Sequence, residues 1–256
     1  MVMTIISSFF RVFRADLIKY RKSLVPWITL LYPFFAVALI TIIDIGMKEL
    51  PERPLFDFSR NLLLVSSFFL PFYLSLLITQ VNFTENRIQG WKLMYAQPVP
   101  RNTFLLSKVF IIFVCCLSAY LLTAIFAVIS SEILGLHEGT PFLVAMRADF
   151  FKPMIKLMLV YVSAPLMMAI QFYLSLRFRN FIVPLGIGIA ASILPVAIFI
   201  ALGIAGLIQG QAGLTRILRI DPYTLPYSFT FNFGALTDPE FLGEIPGIYL
   251  ISSVAL

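Results

Sequence analysis

The side chains able to do recognition chemistry crowd into one polar interruption, Thr84–Lys108 (TENRIQGWKLMYAQPVPRNTFLLSK), in a chain that is 60% hydrophobic and 12% charged. Glu85, Arg87 and Lys92 carry charge there, while Ile88, Trp91 and Tyr95 recur at i, i+3 and i+7 on one helical face. Asn82 and Glu85 stand in the N-x-x-E relation of a capping box. That spacing predicts that a new helix starts after Asn82 and that the preceding apolar helix does not run on. Pro98 and Pro100 then stop it, since proline removes a donor and biases its predecessor away from α. The residues describe a short amphipathic helix strung between two membrane spans. An interfacial loop helix, with Trp and Lys at headgroup level, is an open reading of the same pattern.

Elsewhere the chemical inventory is thin. No G-x-x-x-x-G-K-[ST] occurs, so the chain does not bind ATP through a P-loop. The one histidine, His137, lies beside Glu138, and the two cysteines, Cys115 and Cys116, are adjacent in an apolar run. No metal-ligand spacing is present, and no catalytic residue is assigned. Polar groups inside apolar segments reduce to Thr41, Gln80, Gln171 and, at an edge, Asp44. No span holds paired acids or an acid–His pair, as a proton relay would need. Gln171 has two readings, a contact on a substrate path or a hydrogen bond to a neighbouring helix. An intramembrane enzyme would require paired Asp, a Ser–His dyad or an H-E-x-x-H helix, and the spans have none.

The elements that must position these residues are membrane helices. A mean hydropathy of +0.94 with 26 Phe places the chain among polytopic membrane proteins. The fold class is all-α, with six transmembrane helices, an N-terminal amphipathic helix and re-entrant external segments before the last span. Residues 1–256 form a single membrane domain. Over residues 1–24, Ile6, Phe10, Phe13, Leu17, Tyr20 and Leu24 share one face, opposite Ser7, Arg11, Arg14, Arg21 and Lys22. This is a basic helix suited to an anionic headgroup region, with a soluble partner helix as the alternative. Spans are expected at Val25–Ile45, Asn61–Val81 (kinked at Pro71), Phe104–Ile129, Pro153–Leu176 (containing Pro165) and Phe181–Ile208. Gly186 with Ala190, and Gly188 with Ser192, form small-xxx-small pairs that let another helix approach, from the same chain or from a second copy. Residues 209–244 are too long and aromatic for a plain turn and read as external re-entrant segments. The sixth span opens near Ile245. At ~1.5 Å per residue the last stretch covers roughly 18 Å of a ~30 Å core, so the protein is expected to continue past Leu256.

Charge sets the orientation. Arg11, Arg14, Lys19, Arg21, Lys22, Arg87, Lys92, Arg101, Lys108, Arg177 and Arg179 fall on one side, against Asp16 and Glu85. Such an excess of Lys and Arg over short connections belongs in the cytoplasm, which puts both termini there.

The run E-x-R-x-x-G-W-K-x-x-x-x-x-P-V-x-R, followed by S-K at the opening of the third span, resembles the permease subunits of type-2 ATP-binding-cassette exporters. It is most similar to the group that expels lantibiotic-type antimicrobial peptides. The resemblance implies that residues 84–97 form a coupling helix docking a cytoplasmic ATPase dimer through Glu85, Arg87, Ile88, Trp91, Lys92 and Tyr95. It implies that residues 1–24 are an elbow helix, and that a second permease copy or a related permease packs alongside, with Gly186, Gly188 and Ala190 as candidate contacts. ATP and Mg would sit on the partner, with no cofactor in this chain. Membrane lipids are further partners, nucleic acid is not, and the location is the plasma (inner) membrane. Weak intramembrane polarity favours an amphipathic or lipid-like substrate over an ion or sugar, because an apolar path cannot replace lost hydration. A non-transporting scaffold that docks a cytoplasmic partner would share the loop helix.

The topology is testable by cysteine labelling in intact cells. An impermeant reagent should reach cysteines placed near His137 or Thr237 and miss those near Gln97. The reverse pattern would overturn the orientation.

Overall fold

The computed structural model describes residues 2–46, 54–87, 101–138, 151–178 and 180–204. They form seven helices: α1 (Val2–Arg21), α2 (Val25–Gly46), α3 (Pro54–Arg87), α4 (Arg101–Glu138), α5 (Phe151–Val162), α6 (Pro165–Arg177) and α7 (Ile182–Ile204). Among the described residues, α2, α3 and α4 are long and apolar enough to cross a bilayer, and α5 with α6 makes a fourth span if counted as one bent unit. The six-span expectation is therefore met for three or four. The external stretch 209–244 and the span expected from Ile245 lie outside the described residues.

The bundle is organised around α3, which packs against α2, α4, α5, α6 and α7. In its apolar window 67% of residues are buried, against 28% in α2 and in α4. Leu70, Leu74, Leu77, Ile78 and Val81 are almost wholly enclosed. By contrast α4 turns Leu106, Phe113, Leu117, Leu121 and Ile125 outward, an i, i+4 row that suits hydrocarbon. Two tyrosines tie the centre: Tyr32 stacks on Tyr73 at 4.6 Å. Their hydroxyls donate to the backbone carbonyls of Ser66 (3.0 Å) and Cys115 (3.1 Å). Each apolar ring thereby reaches the core while its polar tip is satisfied.

Two expectations change. First, the stretch expected as one fourth span containing Pro165 is two helices, turned 41° at Ser163–Ala164. Pro165 starts α6 at a position where its missing N–H costs nothing, and Ala164 caps it. Second, α3 runs through Asn82 and Glu85 to Arg87, so Asn82 does not cap a new helix and residues 84–87 do not begin one. Both side chains reach tertiary partners instead. Asn82 Nδ2 donates to Ser175 Oγ on α6, and Glu85 accepts from lysines on α1 and α4.

Small and polar residues join α3, α6 and α7. Gln171 Nε2 donates to Thr79 Oγ1 (3.2 Å) and to the Pro184 carbonyl (2.9 Å), and the side chain is fully buried. It is a helix-to-helix tie, as one of its two sequence readings had it. Gly188 sits directly on Ser75 and Gln171, where an added Cβ would collide with both side chains. Its close approach is therefore spent inside this chain, whereas Gly186 and Ala190 are exposed. Gly188→Val should destabilise by about 1–3 kcal/mol through overpacking. Gly186→Ala, with nothing within 4 Å of its new Cβ, should leave thermal unfolding in detergent unchanged. Equal midpoints for the two variants would contradict this packing.

Candidate functional site

The site is built where three helices meet at one end of the bundle: the second half of α1, the end of α3 and the start of α4. α1 divides into three sectors. Phe10, Leu17 and Leu24 (just past its end) are exposed apolar groups, and Arg11, Arg14, Arg21 and Lys22 form an exposed basic arc beside them. The third sector, Phe9, Phe13, Asp16 and Tyr20, recurs at helical spacing and turns inward onto α4. Phe110 of α4 lies edge-on to both Phe9 (5.8 Å) and Phe13 (5.1 Å). The apolar face expected from sequence is thus split, with Phe13 and Tyr20 serving the bundle and Phe10, Leu17 and Leu24 facing outward.

Behind that aromatic contact lies a buried charge cluster. Glu85, 2% exposed, accepts on Oε1 from Lys19 Nζ at 2.6 Å and from Lys108 Nζ at 2.8 Å. The Tyr20 hydroxyl lies 3.2 Å from the Val81 carbonyl and 3.4 Å from Glu85 Oε1, and Lys108 Nζ lies 3.4 Å from the same hydroxyl. Ser107, next to Lys108 on α4, donates to Asp16 Oδ2 at 2.7 Å. α1 therefore offers α3 a cation and a phenol, and offers α4 a carboxylate and a phenol.

Burial sets the electrostatics. Lys108 is fully enclosed and Asp16 nearly so, while Lys19 keeps 27% of its surface. Desolvation pushes the Asp16 carboxyl above the usual carboxylate range, opposed by the charge of Lys108 and the Ser107 hydrogen bond. Desolvation also raises the Tyr20 phenol, reinforced by the Glu85 charge, so it stays protonated and able to donate. No reaction is set up here: the arrangement has no nucleophile–base pair, and among the described residues no group of His, Cys, Asp and Glu could hold a metal. What it can do is transmit force, because three helices share one desolvated set of charges.

Sequence reading had placed Glu85 on a solvent-side loop helix, and the structure corrects this. It is a buried residue of α3. Arg87 closes α3, and Ile88, Trp91, Lys92 and Tyr95 lie outside the described residues. Ser107 and Lys108 entered only as the S-K of the loop motif, and Asp16, Lys19 and Tyr20 only through the charge balance and the apolar face of the first helix, none of them as a site residue. The signal available was an acid and a tyrosine one turn apart on the packing side of a basic helix, and a lysine inside the opening of an apolar span.

A cluster of this kind should fail unevenly. Lys108→Met removes one of the two lysines on Glu85 and leaves Lys19, so it should destabilise by less than the about 3–5 kcal/mol of a buried charge left wholly unpaired, yet by more than Asp16→Asn. Asp16→Asn keeps an acceptor for Ser107 and should be mild. Because the folded Asp16 pKa is raised, its contribution is fullest below the unfolded value of 3.8 and is lost as pH rises through the folded value. Thermal scans across that acid range should show the wild type losing ground to Asp16→Asn as pH increases. A constant difference between them would rule out the burial cost assigned to Asp16.

Comparison with known proteins supplies the family. No curated protein and no solved structure matches the chain. The model of the ABC-2 family transporter protein matches residues 12–209, most of the chain and every helix of the cluster. The chain belongs to the ABC-2 transporter family and is a multi-pass membrane permease subunit of an ABC transporter.

Proposed function

We propose that this permease exports an amphipathic or hydrophobic substrate from the cytoplasm, driven through the segment between α3 and α4. The family implies a cytoplasmic ATPase partner, and ATP with its Mg belongs to that partner. The observation that carries the reading is the buried cluster. The ends of α3 and α4 that bracket residues 88–100 are bonded to each other through Glu85 and Lys108, and both are bonded to α1. A push on the intervening segment would reach three helices at once.

Within that reading Ile88, Trp91 and Tyr95 form the face that seats in the ATPase dimer, with Arg87 and Lys92 flanking it. Glu85 works differently from these, since it is enclosed and acts by holding α1 and α4. The exposed basic and apolar sectors of α1 suit a helix lying at the inner headgroup layer, with the N-terminus cytoplasmic in the plasma (inner) membrane. Gly186 and Ala190, exposed on α7, remain available to a second permease copy or a related permease. The outward apolar rows and the weak polarity of the spans support a substrate of peptide, drug or lipid character. Antimicrobial-peptide efflux is the member of that set to which the loop motif is most similar.

The docking test is Trp91→Ala in the reconstituted full complex. A buried interface Trp typically costs ~2 kcal/mol or more when truncated, roughly thirtyfold in affinity. ATPase recovery and substrate-stimulated hydrolysis should fall together, while the permease remains inserted. Glu85→Lys, by contrast, should destabilise the permease itself by placing three cations together. Normal recovery and hydrolysis in Trp91→Ala would remove the docking assignment. Weakened docking with no substrate movement even in the wild type would leave a scaffold.

A further inference from the structure

Two lysines and two carboxylates meet among α1, α3 and α4, but they are not paired one to one. Both ammonium groups sit on a single oxygen of Glu85, at 2.6 and 2.8 Å. Like charges that close repel, and one carboxylate oxygen has two lone pairs to offer. Asp16 meanwhile is buried with the hydroxyl of Ser107. The residue it touches is the chain neighbour of Lys108, and Tyr20, whose hydroxyl lies 3.4 Å from Lys108 Nζ, is one turn along α1 from Asp16. The Lys108 charge therefore acts on both carboxylates, bonded to Glu85 and one α4 residue from the hydroxyl that Asp16 accepts.

We propose that the cluster is a two-position lock, in which Lys108 exchanges between Glu85 on α3 and Asp16 on α1 as α1 shifts against the α3–α4 pair. In the arrangement seen here α4 is bonded to α3 through Lys108, and α1 reaches α3 through Lys19. In the other arrangement Lys108 pairs with Asp16, Lys19 alone stays with Glu85, and each carboxylate holds one lysine. Both arrangements keep Lys19 and Lys108 each on a carboxylate without bringing either into water, with Asp16 held by the Ser107 hydroxyl in the first and by Lys108 in the second. Intermediate positions do not, because an unpaired buried charge is costly, so the element has two stops instead of a continuum. The remaining α1–α4 contact is suited to such a shift. Phe9 and Phe13, one turn apart and stacked on each other, both meet Phe110 edge-on, an apolar contact without the directionality of a hydrogen bond. Lys19, partly exposed, has room to follow Glu85.

Pulsed electron paramagnetic resonance on the full chain in liposomes tests the lock. Cys115 and Cys116 are replaced by Ala, and nitroxides are placed at the exposed positions Leu17 on α1 and Leu106 on α4. The parent protein should give two distance components. Asp16→Asn removes the second carboxylate and should leave one component, with Lys108 on Glu85. Glu85→Gln should leave the other, and if that variant does not fold, Asp16→Asn decides. A single component in the parent, or two components unchanged by Asp16→Asn, overturns the proposal. No ATPase or substrate takes part in this measurement. Its failure is therefore distinct from failure of the docking reading, which Trp91→Ala tests separately.

Discussion

Everything at this end of the molecule depends on one carboxylate that has been taken out of water. A charged Glu85 in an apolar bundle is tolerable only if cations come with it, because its desolvation is otherwise uncompensated. Lys108 comes from α4 and Lys19 from α1. The requirement is reciprocal, since Lys108 is fully enclosed and has the same need of Glu85. The ion pairs therefore act less as a source of stability than as a specification. α1, α3 and α4 have one way of meeting that strands no charge, apart from the shifted pairing proposed above.

This specification links the membrane interior to the connection between α3 and α4. Helices that pack through apolar side chains alone can slide and rotate at modest cost, because lipid tails solvate them as well as their neighbours do. The bonds among the end of α3, the start of α4 and α1 couple these three helices at one end of the bundle. That is the property required of a permease whose energy arrives from a separate ATPase. The rest of the bundle has looser ties of its own. The proline-started α6 is held to α3 and α7 by Gln171 and by Asn82 with Ser175, and the approach of α7 rests on the bare backbone of Gly188.

The family match and the fold agree on architecture at the level each can reach. Residues 12–209 carry the family pattern, and that range starts inside α1 and ends beyond α7. The family range thus includes α1, the helix whose residues Asp16, Lys19 and Tyr20 complete the cluster. An interfacial helix merely lying on lipid would have no reason to bury an aspartate. α1 is both things: basic and apolar outward, polar and aromatic inward.

Much of this was legible in the chain itself. Membrane character and the positions of α2, α3 and α4 follow from composition and periodicity, which are properties of single residues and their near neighbours. The break near Pro165 was half legible, since proline marks the place but not whether the span bends or divides. The end of α3 was misread for a physical reason: Asn82 and Glu85 have the spacing of a cap, and their side chains are equally able to bond across helices. Only the folded chain supplies Ser175, Lys19 and Lys108 as competing partners, 93, 66 and 23 residues away. Gly188 stood out as a small residue open to a helix of this chain or of a second copy, and Gln171 as either a substrate-path or a bonding residue; the neighbour of each came only with the fold. Sequence determined what each segment must avoid, water for the apolar runs and lipid for the charges. Tertiary structure decided which charge meets which, because pairing is a property of two distant residues and no local pattern encodes it.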